Sequence, residues 1–299
     1  MIERYGWDDL PDAVRGAIRQ HLGQPTVLRE VEQGQNCNLA LVVKDDRGTA
    51  FLKGVRGVSP RMRWLRNEAT AGELATGLAP ATRFCEDVDP DWLVVGFEYL
   101  SGRPAVLAPG SADLPLIAKS VTRISEFDGG AAQPLSARWA AADWWTKLAE
   151  VARQDVVGWD LDEVTEWSRR AARFVSGSAL LHTDLHEHQF MIDDKTGRVR
   201  VIDWGRPASG AAWVDVAFLV IRLIAAGHRP ADAEQWATAV PSWKTATKEA
   251  LTAFACYVAG LWTYRGVTSP FTGSTELSFA AKDYAAHRLT GWNVRPRRV

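Results

Sequence analysis

The chain holds 299 residues, 46% hydrophobic and 24% charged, with 35 basic against 36 acidic side chains and a formal net charge of -1. A chain of that length and apolar content buries enough surface for two domains or lobes, which excludes a disordered polymer. Near neutrality also removes the long-range basic field that nucleic-acid and membrane-surface proteins use, so small molecules are the expected partners, with no nucleic acid and no membrane among them.

The start, Met1-Ile2-Glu3-Arg4-Tyr5, has neither the basic residues nor the apolar run of a signal peptide. No later stretch reaches about 18 uninterrupted apolar residues. A cytoplasmic location is the expectation. Acids and a proline open an amphipathic helix over 9–22. Five β-rich runs follow, 26–32, 38–43, 49–55, 82–86 and 92–99, the second with Leu39, Leu41 and Val43 in alternation. They predict an antiparallel sheet. Between the third and fourth lies a helical stretch, 61–76, with Leu65, Ala69, Gly72 and Thr76 on one face. Cys37, Cys85 and Cys256 are too scattered for a disulfide framework or a thiolate metal site.

The connector Leu100-Ser101-Gly102-Arg103-Pro104 is rich in chain breakers and reads as a hinge. It divides a β-rich lobe, 1–100, from a helical lobe, 101–299. Helical periodicity covers 114–127, 139–154, 161–174, 214–226, 231–239, 243–265 and 277–289. Two β-like runs, 190–192 and 198–202, flank a turn at 193–197. The 14 tryptophans fit the packing of a helical core better than an aromatic-lined pocket. The acidic run 155–166 reads as a helix start, since Asp160, Asp162 and Glu163 suit the positive end of a helix dipole.

The window His182-Thr183-Asp184-Leu185-His186-Glu187-His188-Gln189, followed by Val201-Ile202-Asp203-Trp204-Gly205, carries the chemistry. In one reading His182, Asp184, His186 and His188 ligate a transition metal such as zinc, as a hydrolase requires. In the other, Asp184 takes the proton of an attacking hydroxyl while Gln189 and Asp203 hold magnesium on nucleotide phosphates. That chemistry asks for a carboxylate base, an amide oxygen five residues on, and a second carboxylate after the next hairpin. Magnesium prefers such hard oxygen donors and shares them with the phosphates.

The same window resembles the phosphotransferase family that contains the aminoglycoside phosphotransferases, choline kinases and related small-molecule kinases. That family's catalytic loop reads His-Gly-Asp-Leu-His-Pro-Gly-Asn and its metal loop Ile-Asp-Trp/Phe-Gly/Glu. The resemblance implies an α+β, bilobal protein kinase-like fold, with a small antiparallel sheet in the N-terminal lobe and a larger, mainly helical C-terminal lobe. It implies transfer of the γ-phosphoryl of ATP or GTP, with Mg2+, to a hydroxyl of a small molecule. An aminoglycoside or other antibiotic is the leading acceptor, and antibiotic resistance the corresponding role.

By the same resemblance Asp184 is the catalytic aspartate, and His182 and His186 fall on the family's two histidines. His186 stabilises charge at the transferring phosphate or only orients the loop. Gln189 stands where the family has the metal-binding Asn, Asp203 is the second metal ligand, and Asp215 supports the catalytic loop from the start of a helix. Lys53, on a strand, matches the phosphate-binding lysine, with Glu68 its expected partner in preference to Glu73. Gly34 and Asn38 lie in a loop resembling the one that covers the phosphates. Phe97-Glu98-Tyr99-Leu100 resembles the segment whose backbone, at Glu98 and Leu100, meets the nucleotide base.

Order and spacing hold from about residue 26 to residue 217. Thr183, Glu187 and His188 depart from the family's Gly, Pro and Gly, and Gln189 is one methylene longer than Asn. Its amide oxygen moves by more than about 1 Å unless the backbone compensates. A non-catalytic nucleotide-binding protein and the zinc hydrolase are the alternatives.

Overall fold

Residues 2–31, 36–140 and 143–290 are described by a computed structural model. The chain forms two compact units, residues 1–104 with 188–206, and 105–187 with 207–299.

In the first unit, α1 (Asp12–Leu22) buries Val14, Ile18 and Leu22, one side chain per turn, and stops at Gly23, whose φ of 68° suits glycine. The sheet comprises β1 (Thr26–Glu30), β2 (Leu39–Asp45), β3 (Gly48–Arg56), β4 (Thr82–Val88) and β5 (Trp92–Glu98), antiparallel throughout in the order β1-β2-β3-β5-β4. Alternation along each strand divides two faces. Leu39, Leu41, Val43, Ala50 and Leu52 join Val14 and Ile18 in one core under α1. Val55, Leu93, Val95 and Phe97 form the other with Leu65 of α2 (Pro60–Leu74), and Phe51 packs against it. Lys53 falls between Phe51 and Val55 in that alternation, which places it on the α2 face.

The connector read as a hinge contains β6 (Arg103–Pro104), which pairs with β8 (Phe190–Asp193), which pairs with β9 (Arg198–Val201). Residues 188–206 therefore build into the first unit. Arg200 fastens them there, donating to the carbonyls of Leu78 and Ala79 at 3.1 and 2.6 Å and to the Glu98 carboxylate at 2.8 and 3.1 Å.

The second unit holds α3 (Leu114–Glu126), α4 (Leu135–Trp139), α5 (Trp144–Val151), α6 (Leu161–Phe174), a two-stranded ladder of β7 (Ala179–Leu181) with β10 (Ala208–Gly210), α7 (Val214–Ala225), α8 (Pro230–Ala237), α9 (Lys248–Thr268) and α10 (Ser274–Thr290). The single helix expected over 139–154 is interrupted. Asp143 starts a new one, its side chain accepting from the N–H of Thr146. Asp160 caps α6 in the same way through the N–H groups of Asp162 and Glu163. Tryptophans serve as core: Trp145 is fully buried with its indole N–H on the carbonyl of Cys256, and Trp139 stacks on Tyr257 at 4.0 Å. Among the described residues no helix is long and apolar enough to cross a membrane.

Candidate active site

Lys53 and Glu68 meet because strand alternation turns the lysine toward α2 and helical spacing puts Glu68 on the same buried stripe as Leu65 and Ala71. Lys53 Nζ donates to Glu68 Oε1 at 2.6 Å and also to Asp203 Oδ1. Burial alone would lower the lysine's pKa; the carboxylates of Asp203 and Glu68 outweigh it and hold it above the ordinary value. Burial also raises Glu68, to about 6, against the pull of Lys53. Glu73 is exposed.

Asp203 sits with φ at 63°, a left-handed conformation uncommon outside glycine. The next residues hold it there. Trp204 is fully buried with its indole N–H on the carbonyl of Val201, the N–H of Gly205 reaches back to the Asp203 carbonyl at 2.8 Å, and Asn67 of α2 donates to the carbonyl of Gly205. Arg206 stacks over Trp64 of the same helix at 4.0 Å.

Gln189 ends a short 3-10 turn, Glu187–Gln189, just before β8. Its carbonyl accepts from the N–H of Ile202, and its side-chain N–H lies 3.4 Å from Asp203 Oδ2. Its Oε1 is buried and, among the described residues, has no hydrogen-bond partner. An orphaned amide oxygen beside a carboxylate is a pair of hard donors, and a magnesium ion fits it in kind. The transition-metal reading finds no comparable geometry: among the described residues no three His, Cys, Asp or Glu side chains are grouped to hold a metal.

Asn38 is placed otherwise than the sequence suggested. Its amide is buried, donating to the carbonyl of Glu3 and accepting from the N–H of Arg56 and from Arg61, so it ties the N-terminal segment to the end of β3. The Glu98 side chain is engaged by Arg200 and by the N–H of Ala81. Burial would raise its pKa, but those donors hold it below the ordinary carboxylate value. Leu100 follows β5 in irregular backbone, and Gly34 lies outside the described residues.

The second unit carries the loop after β7. Asp215, buried at the start of α7, accepts from the N–H groups of His182 and Thr183 at 2.7 and 2.9 Å. Burial raises its pKa, opposed by His182 and those two amides. Thr183, where the family has glycine, adopts φ of 67°, a strained conformation for a β-branched residue. His182 is buried, and the N–H of Asp184 points at its Nδ1 at 3.3 Å. The Asp184 side chain is 56% exposed, which suits a group that must meet a substrate. His186 Nδ1 stands 3.9 Å from Glu187 Oε2. His188 is exposed.

Sequence reasoning missed Arg222. It lies two turns beyond Asp215 on α7, and its Nη2 is 3.4 Å from Asp184 Oδ1. The signal was there: Asp215 and Arg222 are the two charged residues of an otherwise apolar helix and share a face at a spacing of seven.

The sequence profile of the phosphotransferase enzyme family matches residues 22–254. No curated protein matches the chain. Among solved structures, a thermostable mutant of the aminoglycoside phosphotransferase APH(4)-Ia, complexed with AMP-PNP and hygromycin B, is similar with a TM-score of 0.65 at 14% identity, over 94% of this chain and 99% of that one. An aminoglycoside phosphotransferase from Alicyclobacillus acidocaldarius gives 0.57 at 13% identity, over 97% and 99%. A choline kinase from Streptococcus pneumoniae gives 0.58 at 16% identity, over 91% and 98%. These likenesses show the bilobal protein kinase-like fold: a small antiparallel β-sheet lobe followed by a larger, mainly helical one.

Proposed function

Because the chain belongs to the phosphotransferase enzyme family, that of the aminoglycoside phosphotransferases and choline kinases, we propose that it moves the γ-phosphoryl of ATP or GTP to a hydroxyl of a small molecule. The observation that carries this reading is Lys53 bonded to both Glu68 and Asp203, with the Gln189 amide against that aspartate through its N–H and its own oxygen without a partner among the described residues. Lys53 holds the α- and β-phosphates, and Glu68 fixes its direction. Gln189 Oε1 and an Asp203 oxygen are the donors for magnesium, which when bound neutralises phosphate charge.

Asp184 accepts the proton of the attacking hydroxyl. The hydroxyl oxygen bonds to the γ-phosphorus as the bond to the bridging oxygen of the nucleoside diphosphate breaks. Asp215 acts at one remove, since its carboxylate sets the backbone on which Asp184 stands. His186 is close enough in sequence to steady charge at the phosphate. Hydroxyl-bearing antibiotics are the first acceptors to screen, because hygromycin B occupies one of the similar structures.

The test is nucleotide consumption by the purified chain across antibiotics and small hydroxyl metabolites, with Asp184→Asn as control. That change keeps size but removes the proton acceptor, so turnover should fall by about 100-fold or more while nucleotide binding survives. A wild-type protein that binds nucleotide and neither transfers nor slowly hydrolyses it would instead be a non-catalytic binder.

A further inference from the structure

Arg222 occupies a position that an apolar helix does not explain. On its own face of α7, one turn back, Phe218 and Leu219 are buried, the Arg222 side chain is only 17% exposed, and burial lowers the guanidinium's own pKa against the pull of Asp184 and Glu187. A cation kept among such neighbours costs free energy unless it has work to do. Its plane is supported, lying over the indole of Trp262 at 5.2 Å, and Trp262 stacks in turn on Phe218 at 5.7 Å.

Its hydrogen bonding is meagre by comparison. A guanidinium offers five donors in a rigid fork. Among the described residues the Arg222 side chain makes one hydrogen bond, the monodentate contact to Asp184 at 3.4 Å. An arginine serving only to orient a carboxylate would grip it through two parallel bonds at about 2.8 Å. Asp215, the one carboxylate of α7 itself, is already occupied by the amides of His182 and Thr183. The fork thus stands beside the half-exposed Asp184 carboxylate, pre-oriented on an aromatic ring, with donors to spare.

We propose that Arg222 binds an anionic group, a carboxylate or a phosphate, on the acceptor whose hydroxyl is phosphorylated. The acceptor is then a hydroxy acid or a phosphorylated alcohol rather than a polycation, because an ammonium group in that place would face a buried like charge. The proposal rests on the phosphoryl-transfer reading and narrows it. Asp184 and Arg222 are close enough for one small molecule to touch both. Its hydroxyl gives the proton to Asp184 and its oxygen bonds to the γ-phosphorus, while the electron pair of the broken bond leaves on the nucleoside diphosphate.

The experiment supplies the full chain with magnesium, ATP or GTP, and three acceptor sets: hydroxy carboxylic acids such as 3-hydroxybutyrate and glycerate, the phosphorylated alcohol glycerol 3-phosphate, and the polycations kanamycin and hygromycin B. Phosphorylated product is expected from an anionic set alone, and whether acids or phosphate esters give it identifies the group that Arg222 takes. Arg222→Met should then raise the acceptor KM by about 30-fold or more with a smaller change in kcat, and Arg222→Lys should recover part of the affinity. Transfer to the polycations with a KM indifferent to Arg222→Met would overturn the proposal. So would the absence of product from every anionic acceptor, a result read on the wild-type chain and independent of how any variant folds. In that case, acceptor-free nucleotide hydrolysis that still requires magnesium and Asp184 would leave the phosphotransferase reading standing. No nucleotide turnover at all would remove both.

Discussion

Lys53 bears two carboxylates at once, and the resulting charge balance makes its neighbourhood sensitive to mutation and to pH. Lys53→Ala should lower phosphoryl transfer by about 100-fold or more, because the phosphates lose their positioning contact. Glu68→Gln should reproduce most of that loss. Glu73→Gln, on an exposed part of α2, should leave the rate within about 2-fold. The pH dependence follows from Glu68, whose pKa stands raised at about 6. A carboxyl with a raised pKa takes up its proton as pH falls through that value, so Lys53 loses one of its two ionised partners there and keeps Asp203. The acid limb of kcat/KM is expected near pH 6, and in Glu68→Gln that limb should disappear from the lowered profile. A limb unchanged by this variant would assign it to another group. Thr183 offers a stability test. Its φ of 67° stores about 1–3 kcal/mol in a β-branched residue, whereas glycine adds about 0.4–1 kcal/mol of unfolded-state entropy. Thr183→Gly should raise stability by about 1 kcal/mol in chemical denaturation, and a loss would mean that the threonine side chain holds the loop by more than its strain costs.

Secondary elements were legible wherever the signal was local. Asp160 followed by apolar residues at helical spacing marks α6 over the residues expected, and the alternation of Leu39, Leu41 and Val43 marks β2. The Lys53–Glu68 contact was legible for the same reason, since strand and helix periodicities each fix a direction. What escaped was set by distant partners. The strand Arg103–Pro104 hid in a breaker-rich connector because proline is tolerated at a sheet edge, and its partner Met191–Ile192 lies far along the chain. The short strands β7 and β10 carry too few residues for any period to show. Arg222 needed the knowledge that its face of α7 meets the loop at Asp184, and Asn38 the knowledge that its amide meets Glu3 and Arg56. The β8–β9 hairpin illustrates how such remote contacts govern an element. Arg200, itself buried, donates to the Ala79 carbonyl, shares the Leu78 carbonyl with the N–H of Val201, and meets the Glu98 carboxylate beside the N–H of Ala81. Arg200→Ala should therefore destabilise the chain by about 1–3 kcal/mol, visible as a lower denaturation midpoint, through the buried Ala79 carbonyl and the Glu98 carboxylate that lose its hydrogen bonds.

At the scale of the whole molecule, the first unit is assembled from two separated stretches, residues 1–104 and 188–206. Lys53 with its partner Glu68, proposed for the α- and β-phosphates, and Gln189 and Asp203, proposed for magnesium, belong to that unit, whereas Asp184 and His186 belong to the second although their motif is contiguous with Gln189 in sequence. Nucleotide binding should accordingly leave a regional signature. A ligand that binds only the native state at about 100 times its Kd adds about 2.7 kcal/mol of stability, and its contacts decide where local opening is suppressed. Amide exchange with ATP and magnesium should slow chiefly in β3, α2 and residues 188–206, with α9 and α10 changed little. Omitting the divalent cation, or replacing Asp203 by Asn, should remove most of that protection, since the donor pair at Gln189 would lose the ion or its carboxylate. Equal protection across α9 and α10, or protection indifferent to magnesium, would place the nucleotide elsewhere and withdraw the roles given to Lys53, Gln189 and Asp203.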